Sequence, residues 1–125
     1  MPVPCDHDAY PVYAKIIGPV RKAAHKLGYA IAVHGTVKRD IDLVAIPWTR
    51  DAAPAAEVAE AVRSAIDTVM EIVVASRMQM AVWRNNGLAY NAKPHGRRVW
   101  NYYFDADCVG PYLDLGVMPR EADRG

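Results

Sequence analysis

Two aspartates separated by one residue, Asp40 and Asp42, are the part of the sequence that points most directly to chemistry. Side chains alternate along an extended strand, so the two carboxylates are predicted to share one face, with Cα atoms roughly 6–7 Å apart. Two acids so placed repel each other unless cations neutralise them. Ligation by oxygen alone favours Mg²⁺ or Mn²⁺ over zinc. The pair is a candidate metal site; the alternative is that both acids cap a turn and face water, with Arg39 as a partner.

A third carboxylate, Asp114, stands in the apolar run YLDLGVM near the end of the chain. Apolar neighbours on both sides place this acid inside a strand that is expected to be buried. If that strand lies beside the strand of Asp40 and Asp42, with strand axes roughly 5 Å apart, three carboxylates converge on one site. The alternative is that an arginine satisfies Asp114.

Basic residues accompany the acids at two places in the sequence. One pair directly precedes Asp40, and the segment KPHGRR precedes a later strand. Such groups would meet phosphate oxygens in a functional site, or they are a solvated turn, and only their approach to the acids distinguishes these interpretations. The candidate phosphate-binding residues are Lys38, Arg39, Lys93, His95, Arg97 and Arg98.

The length and composition are those of one globular domain. The chain has 125 residues, of which 52% are hydrophobic and 23% are charged, so a single domain over residues 1–125 is expected, with flexible tails at 1–10 and 120–125. A net charge of +1 gives no overall field that would attract nucleic acid or anionic lipid. No run is long and apolar enough for a membrane helix or a signal peptide, so a cytoplasmic location is expected.

The hydrophobic pattern predicts helices and strands in a mixed order. Helical spacing runs from Tyr13 to Leu27, where Gly28 is suited to end the helix, and again from Pro54 to about Met78. The first two strand-like runs are almost wholly apolar, so we expect them to be buried on both faces. The fold class is therefore α/β (α+β), a mixed central sheet backed by two principal helices. The predicted strands are Tyr29–His34, Ile41–Trp48, Arg98–Phe104 and Tyr112–Met118.

The tryptophans admit two interpretations. Trp48, Trp83 and Trp100 could stack on a nucleobase. Packing in a core or an interface is the more common use of aromatic residues in a domain of this size. We therefore expect packing.

The order of these features resembles the DNA polymerase β-type nucleotidyltransferase superfamily in a minimal form. The resemblance spans Tyr29 to Met118 and consists of a strand followed by a glycine and a small hydroxyl residue, an Asp-x-Asp strand, and a later strand with one Asp. It implies that the Gly35–Thr36 turn holds nucleotide phosphates and that Asp40 and Asp42 bind two metal ions. It also implies that Asp114 binds the catalytic metal and activates the attacking hydroxyl.

The activity implied by this resemblance is Mg²⁺- or Mn²⁺-dependent transfer of a nucleotidyl group from a nucleoside triphosphate to a hydroxyl acceptor. A protein partner or a homo-oligomer would complete the acceptor surface. The chain is also similar to small phage and prophage proteins that share the segments HG-x-x-x-RDIDL, IPW and KPHGRR, which implies no activity.

The turn departs from the family pattern, which has Gly-Gly or Gly-Ser and more residues before Asp-x-Asp. Here only Val37, Lys38 and Arg39 separate Thr36 from Asp40. This shortening favours one alternative, a catalytically silent nucleotide- or protein-binding module of the same fold. A second alternative is a metal-dependent phosphodiesterase or nuclease that uses the same acids.

Overall fold

The computed structural model describes residues 9–38, 40–73, 90–103 and 112–124. Each of the four predicted strands is present within two residues of its expected bounds, and both predicted helices are present. A further short strand and a short helix complete the fold. The elements are α1 (Tyr10–Lys26), β1 (Tyr29–His34), β2 (Ile41–Pro47), α2 (Ala55–Val73), β3 (Tyr90–Ala92), β4 (Arg98–Tyr103), β5 (Tyr112–Val117) and α3 (Glu121–Arg124).

The five strands form one mixed sheet in the order β1-β2-β5-β4-β3. Strand β5 runs parallel to β2, and the other three pairings are antiparallel. The fold is therefore the α+β class that the sequence predicts, with a mixed central sheet and two long helices. The last strand lies directly beside the strand of Asp42, as convergence of the acids requires.

Both long helices pack on the same face of the sheet. Ile16 and Val20 of α1 share one core with Val62 and Ile66 of α2 and with Leu43 of β2. The hydroxyl of Tyr102 in β4 donates a 2.8 Å hydrogen bond to the carbonyl of Ala59, which ties the sheet to α2. The core therefore occupies one side of the sheet.

The prediction that the first two strands are buried on both faces is wrong. In β2, Ile41, Leu43 and Ala45 are buried, whereas Val44 is partly buried and Ile46 is 43% exposed. Neither long helix packs on the opposite face, and its apolar side chains hid the alternation in the sequence. This open face of the sheet carries the candidate site.

The turn after α1 is built as the sequence predicts. Gly28 has φ +91°, and a Cβ there would lie 2.9 Å from Cα of Ala52. A larger residue would therefore collide with the loop between β2 and α2. The C-terminal segment predicted as a tail contains α3, and Arg120 before it pairs with Asp123 at 2.7 Å. Among the described helices, none has the length and apolar character needed to cross a membrane.

Candidate active site

A polar row crosses four strands on the open face of the sheet. His34 of β1 is opposite Asp42 of β2, Asp42 is level with Asp114 of β5, and Asp114 is opposite Asn101 of β4. Neighbouring strands lie about 4.8 Å apart, so residues at the same level have adjacent side chains. The parallel pairing of β2 and β5 thus places two carboxylates side by side.

Asp114 is the residue of this row whose ionised form is disfavoured by its surroundings. Burial raises the pKa of its carboxyl to about 6, with further contributions from the charge of Asp42, a hydrogen bond to Asp42 and the charge of Asp40. A hydrogen bond donated by the Asn101 amide opposes the rise. Asp42 and Asp114 are therefore close enough to share a proton. A cation bound between two such acids can take the place of that proton.

Asp40 lies at the edge of this arrangement. It precedes β2 as a bend residue and is partly buried, and its charge still acts on Asp114. Among the described side chains, no group of three or more His, Cys, Asp or Glu residues is placed to hold a metal ion. The structure therefore brings Asp42 and Asp114 together, with Asp40 as a more distant neighbour.

The predicted phosphate turn contacts the acids through its glycine. Gly35 has φ +85°, and a Cβ built on it would lie 3.8 Å from Oδ2 of Asp42. Thr36 and Lys38 are exposed, and the Lys38 carbonyl accepts a 2.7 Å hydrogen bond from the amide of Ala9. Arg39 lies outside the described residues. The backbone at Gly35 thus lies beside the Asp42 carboxylate.

Two of the four residues predicted from KPHGRR line the same hollow as the acids. Lys93 and Arg97 line a hollow of about 310 Å³ whose other walls include Asp42 and Asp114. His95 is exposed and is not part of its lining. Arg98 lies over the ring of Tyr90 instead, with Cζ 4.9 Å from the ring centroid. We call this hollow the acidic pocket; it is lined by His34, Asp42, Leu43, Val44, Asn91, Lys93, Arg97, Val99, Asn101, Asp114 and Gly116.

Gly116 gives Arg97 its place in the acidic pocket. Gly116 lies two residues after Asp114 on the same face of β5, and a Cβ there would lie 2.9 Å from Nη1 of Arg97. Its missing side chain lets the guanidinium lie over the strand. Among the described residues, Arg97 forms no ion pair with a carboxylate. It is therefore a cation that an anionic ligand can engage.

Asn101 and Gly116 are site residues that sequence reasoning missed. Asn91 extends the polar row by donating a 3.4 Å hydrogen bond to Oδ1 of Asn101. Asn101 had a signal in the sequence, because it is the polar residue between Trp100 and Tyr102, which are both buried. In an alternating strand it must face away from the core. Gly116 had no such signal, because its role depends on Arg97, which lies in the segment just before β4.

Comparison with models of known protein families, with curated proteins and with solved structures gave no match to this chain. The case for a function therefore depends on the geometry of the acidic pocket. That geometry combines a pair of adjacent carboxylates, two neutral amide donors and two cations within a single hollow.

A divalent cation at Asp114 would compete with a proton, so its affinity for the acidic pocket would weaken as the pH falls below about 6. Calorimetric titration with Mn²⁺ should show affinity that is nearly constant above that pH and falls toward about tenfold per pH unit below it. The variant His34→Gln removes the histidine of the pocket as another source of the dependence. If His34→Gln abolishes the pH dependence, Asp114 is not its cause.

Proposed function

We propose that this protein transfers a nucleotidyl group from a nucleoside triphosphate to a hydroxyl acceptor, with Mg²⁺ or Mn²⁺ at Asp42 and Asp114. The observation that carries the proposal is the pairing of these two acids on parallel strands. The Gly35 backbone lies on one side of the pair, and Lys93 and Arg97 line the same hollow. Acids for a metal and cations for phosphates thus meet in one pocket.

The donor set fits a hard divalent cation. Magnesium is commonly held by one or two carboxylates, with substrate phosphates and water completing its shell. A cation would relieve the burial and the like charge that raise the pKa of Asp114. Asp42 and Asp114 would hold the ion, and Asp40 would add charge at its edge. A divalent ion held by these residues would stabilise charge on the phosphoryl oxygens and would lower the pKa of a bound hydroxyl.

The chain supplies the remaining functions through its own groups. Arg97 and Lys93 place two positive charges where a triphosphate would lie, and phosphoryl transfer depends chiefly on such positioning and charge stabilisation. Asn101 fixes the Asp114 carboxyl through its hydrogen bond. Once a cation has taken the place of the proton on Asp114, its ionised carboxylate would be the group of this chain that accepts the proton of the attacking hydroxyl.

The reaction is tested with α-labelled nucleoside triphosphates and Mg²⁺ or Mn²⁺, measuring metal-dependent release of pyrophosphate and transfer of the label to a single-stranded oligonucleotide. The proposal predicts both, with loss of both in Asp42→Asn. Shortening of the oligonucleotide without a triphosphate would instead identify a phosphodiesterase. Binding of the triphosphate without any turnover would identify a silent binding module.

Gly116→Ala will weaken triphosphate binding while leaving binding of the metal alone nearly unchanged. The added methyl group takes the space of the Arg97 guanidinium and moves it away from the acids. Loss of one charge-assisted contact of about 1.5–3 kcal/mol corresponds to roughly a 10- to 150-fold fall in affinity. Arg97→Ala should give a similar loss, measured by calorimetry with a nonhydrolysable triphosphate.

Gly18→Ala is the matched control, because an added Cβ at that exposed helix position meets nothing within 4 Å. It should leave the affinity for triphosphate unchanged. Equal affinities of Gly116→Ala and the parent protein would show that Arg97 does not bind the triphosphate from its place over Gly116.

A further inference from the structure

A second hollow of about 840 Å³ continues the open face of the sheet beyond the acidic pocket. Val44 lines both hollows, so their surfaces join at this residue. Ile46 and Trp48, in the same hollow, are 43% and 59% exposed. We call this second hollow the Trp48 groove; it is lined chiefly by Val44, Ile46, Trp48, Arg50, Met118 and Pro119.

Of the tryptophans expected to pack in a core or an interface, Trp100 and Trp48 differ in burial, and Trp83 lies outside the described residues. Trp100 is buried as expected, at 3% exposure, but Trp48 presents more than half of its surface. Its indole is held beside the imidazole of His25, with ring centroids 5.6 Å apart and planes inclined by 30°. A large aromatic side chain that is both supported and exposed is suited to stacking against a flat ligand.

The groove also carries positive charge. Arg50 is exposed, and among the described residues it forms no ion pair with a carboxylate. Arg120 and Glu121 lie in the same lining: Arg120 is engaged by Asp123, and Glu121 is an exposed carboxylate, which leaves Arg50 as the cation offered to a phosphate. Together with Trp48, Arg50 gives the combination of a stacking surface and a free cation that single-stranded nucleic acids recognise. A purely apolar protein partner would have no use for the cation.

The length of the groove indicates an oligomeric ligand. Asp42 and Ile46 are four residues apart on one face of β2, which corresponds to roughly 13 Å. Stacked nucleotides are about 3.4 Å apart along one strand, so this distance spans about four of them. A strand that ends at the acids would therefore extend along β2 to Ile46, and Trp48 follows Ile46 by two residues in the chain.

We infer that the Trp48 groove binds the single-stranded end of a nucleic acid and directs its terminal hydroxyl toward the acidic pocket. Naming this strand as the acceptor rests on the proposed function. Its bases stack on Trp48 and contact Ile46, and its phosphates meet Arg50. DNA and RNA share this chemistry, and the test has an arm for each.

The test is fluorescence anisotropy of labelled single-stranded DNA and RNA oligonucleotides of about eight nucleotides, a length within the site sizes of single-strand binding domains. Trp48→Leu should weaken binding by at least about fivefold, the low end of the effect of losing one stacked base. Trp48→Phe, which keeps a ring, should retain most of the affinity. Arg50→Ala should lower the slope of log affinity against log salt by about 0.7, the value for one phosphate contact to a single strand.

Two results would overturn the inference: no binding by the parent protein, or Trp48→Leu binding as tightly as the parent. A parent dimer that Trp48→Leu dissociates, with no oligonucleotide bound, would assign the face to a second copy of the chain. Mn²⁺ and triphosphate binding are measured on every variant. If the parent lacks them but binds oligonucleotide through Trp48, the proposed function fails while the groove remains a strand-binding site.

Discussion

Asp42→Asn will weaken Mn²⁺ binding in the presence of a nonhydrolysable nucleoside triphosphate by at least about 100-fold, because loss even of a residue that supports a metal ligand costs about 10- to 100-fold. Asparagine keeps the size of the side chain but removes the charge that the metal needs. Calorimetric titration of the parent and the variant under identical conditions gives the comparison.

Asp51→Asn is the control for this prediction, because Asp51 is an exposed acid in the turn before α2. It removes the same charge from the protein at a position away from the acidic pocket, and its metal affinity should equal that of the parent. If Asp42→Asn and Asp51→Asn bind Mn²⁺ equally well, Asp42 is not a metal ligand.

Asp114→Asn will raise the melting temperature of the metal-free protein, although it abolishes metal binding. The ionised Asp114 carboxylate is destabilised by burial and by neighbouring acids, as its raised pKa of about 6 shows. Asparagine removes that charge and keeps an oxygen that can accept the hydrogen bond from Asn101. We expect a gain of a few degrees near pH 8, since about 1 kcal/mol shifts the melting temperature of a domain this size by roughly 4 °C.

The pH dependence of this gain follows from the direction of the shift. A carboxyl whose pKa is higher in the folded protein than in the unfolded chain binds more protons when folded, so acidification stabilises the parent between pH about 6 and pH about 4. The advantage of Asp114→Asn should be full above pH 6 and shrink as the pH falls through this range. Thermal unfolding at several pH values measures it, and a gain independent of pH would show that the charge is not its cause.

The elements of the fold could be predicted because their patterns are local. The helical spacing from Pro54 and the short β-branched runs are each recognisable within one segment. Strand order is a different matter, because β5 lies between β2 and β4 although β3 and β4 come before it in the sequence. From the sequence, the proximity of Asp42 and Asp114 depended on whether their strands are neighbours. The strand order of the sheet shows that they are.

The basic residues show why side-chain direction could not be predicted. Arg97 and Arg98 are adjacent, yet Arg97 lines the acidic pocket and Arg98 lies over Tyr90. The register of β4 determines which of the two faces the acids, and a shift by one residue would exchange them. Gly116 was equally hidden, since the need for a glycine comes from the position of the Arg97 guanidinium.

The open face of the sheet was predicted incorrectly for a related reason. Val44 and Ile46 are as apolar as the core residues Leu43 and Ala45, with which they alternate, so the sequence of β2 suggests burial on both faces. Only the packing of α1 and α2 on one side shows that these side chains remain available. Apolar residues on an uncovered face, beside a polar site, are a recurring property of ligand-binding surfaces.

The most direct test of a nucleotide site at Asp42 and Asp114 is calorimetric titration of the parent protein with Mn²⁺, with and without a nonhydrolysable nucleoside triphosphate. We expect the triphosphate to strengthen Mn²⁺ binding, because its phosphate oxygens would complete the shell of an ion held by Asp42 and Asp114 while Arg97 binds the same ligand. The matched titration of Asp42→Asn should show neither the binding nor the strengthening. Absence of Mn²⁺ binding by the parent, with or without triphosphate, would contradict the proposed activity.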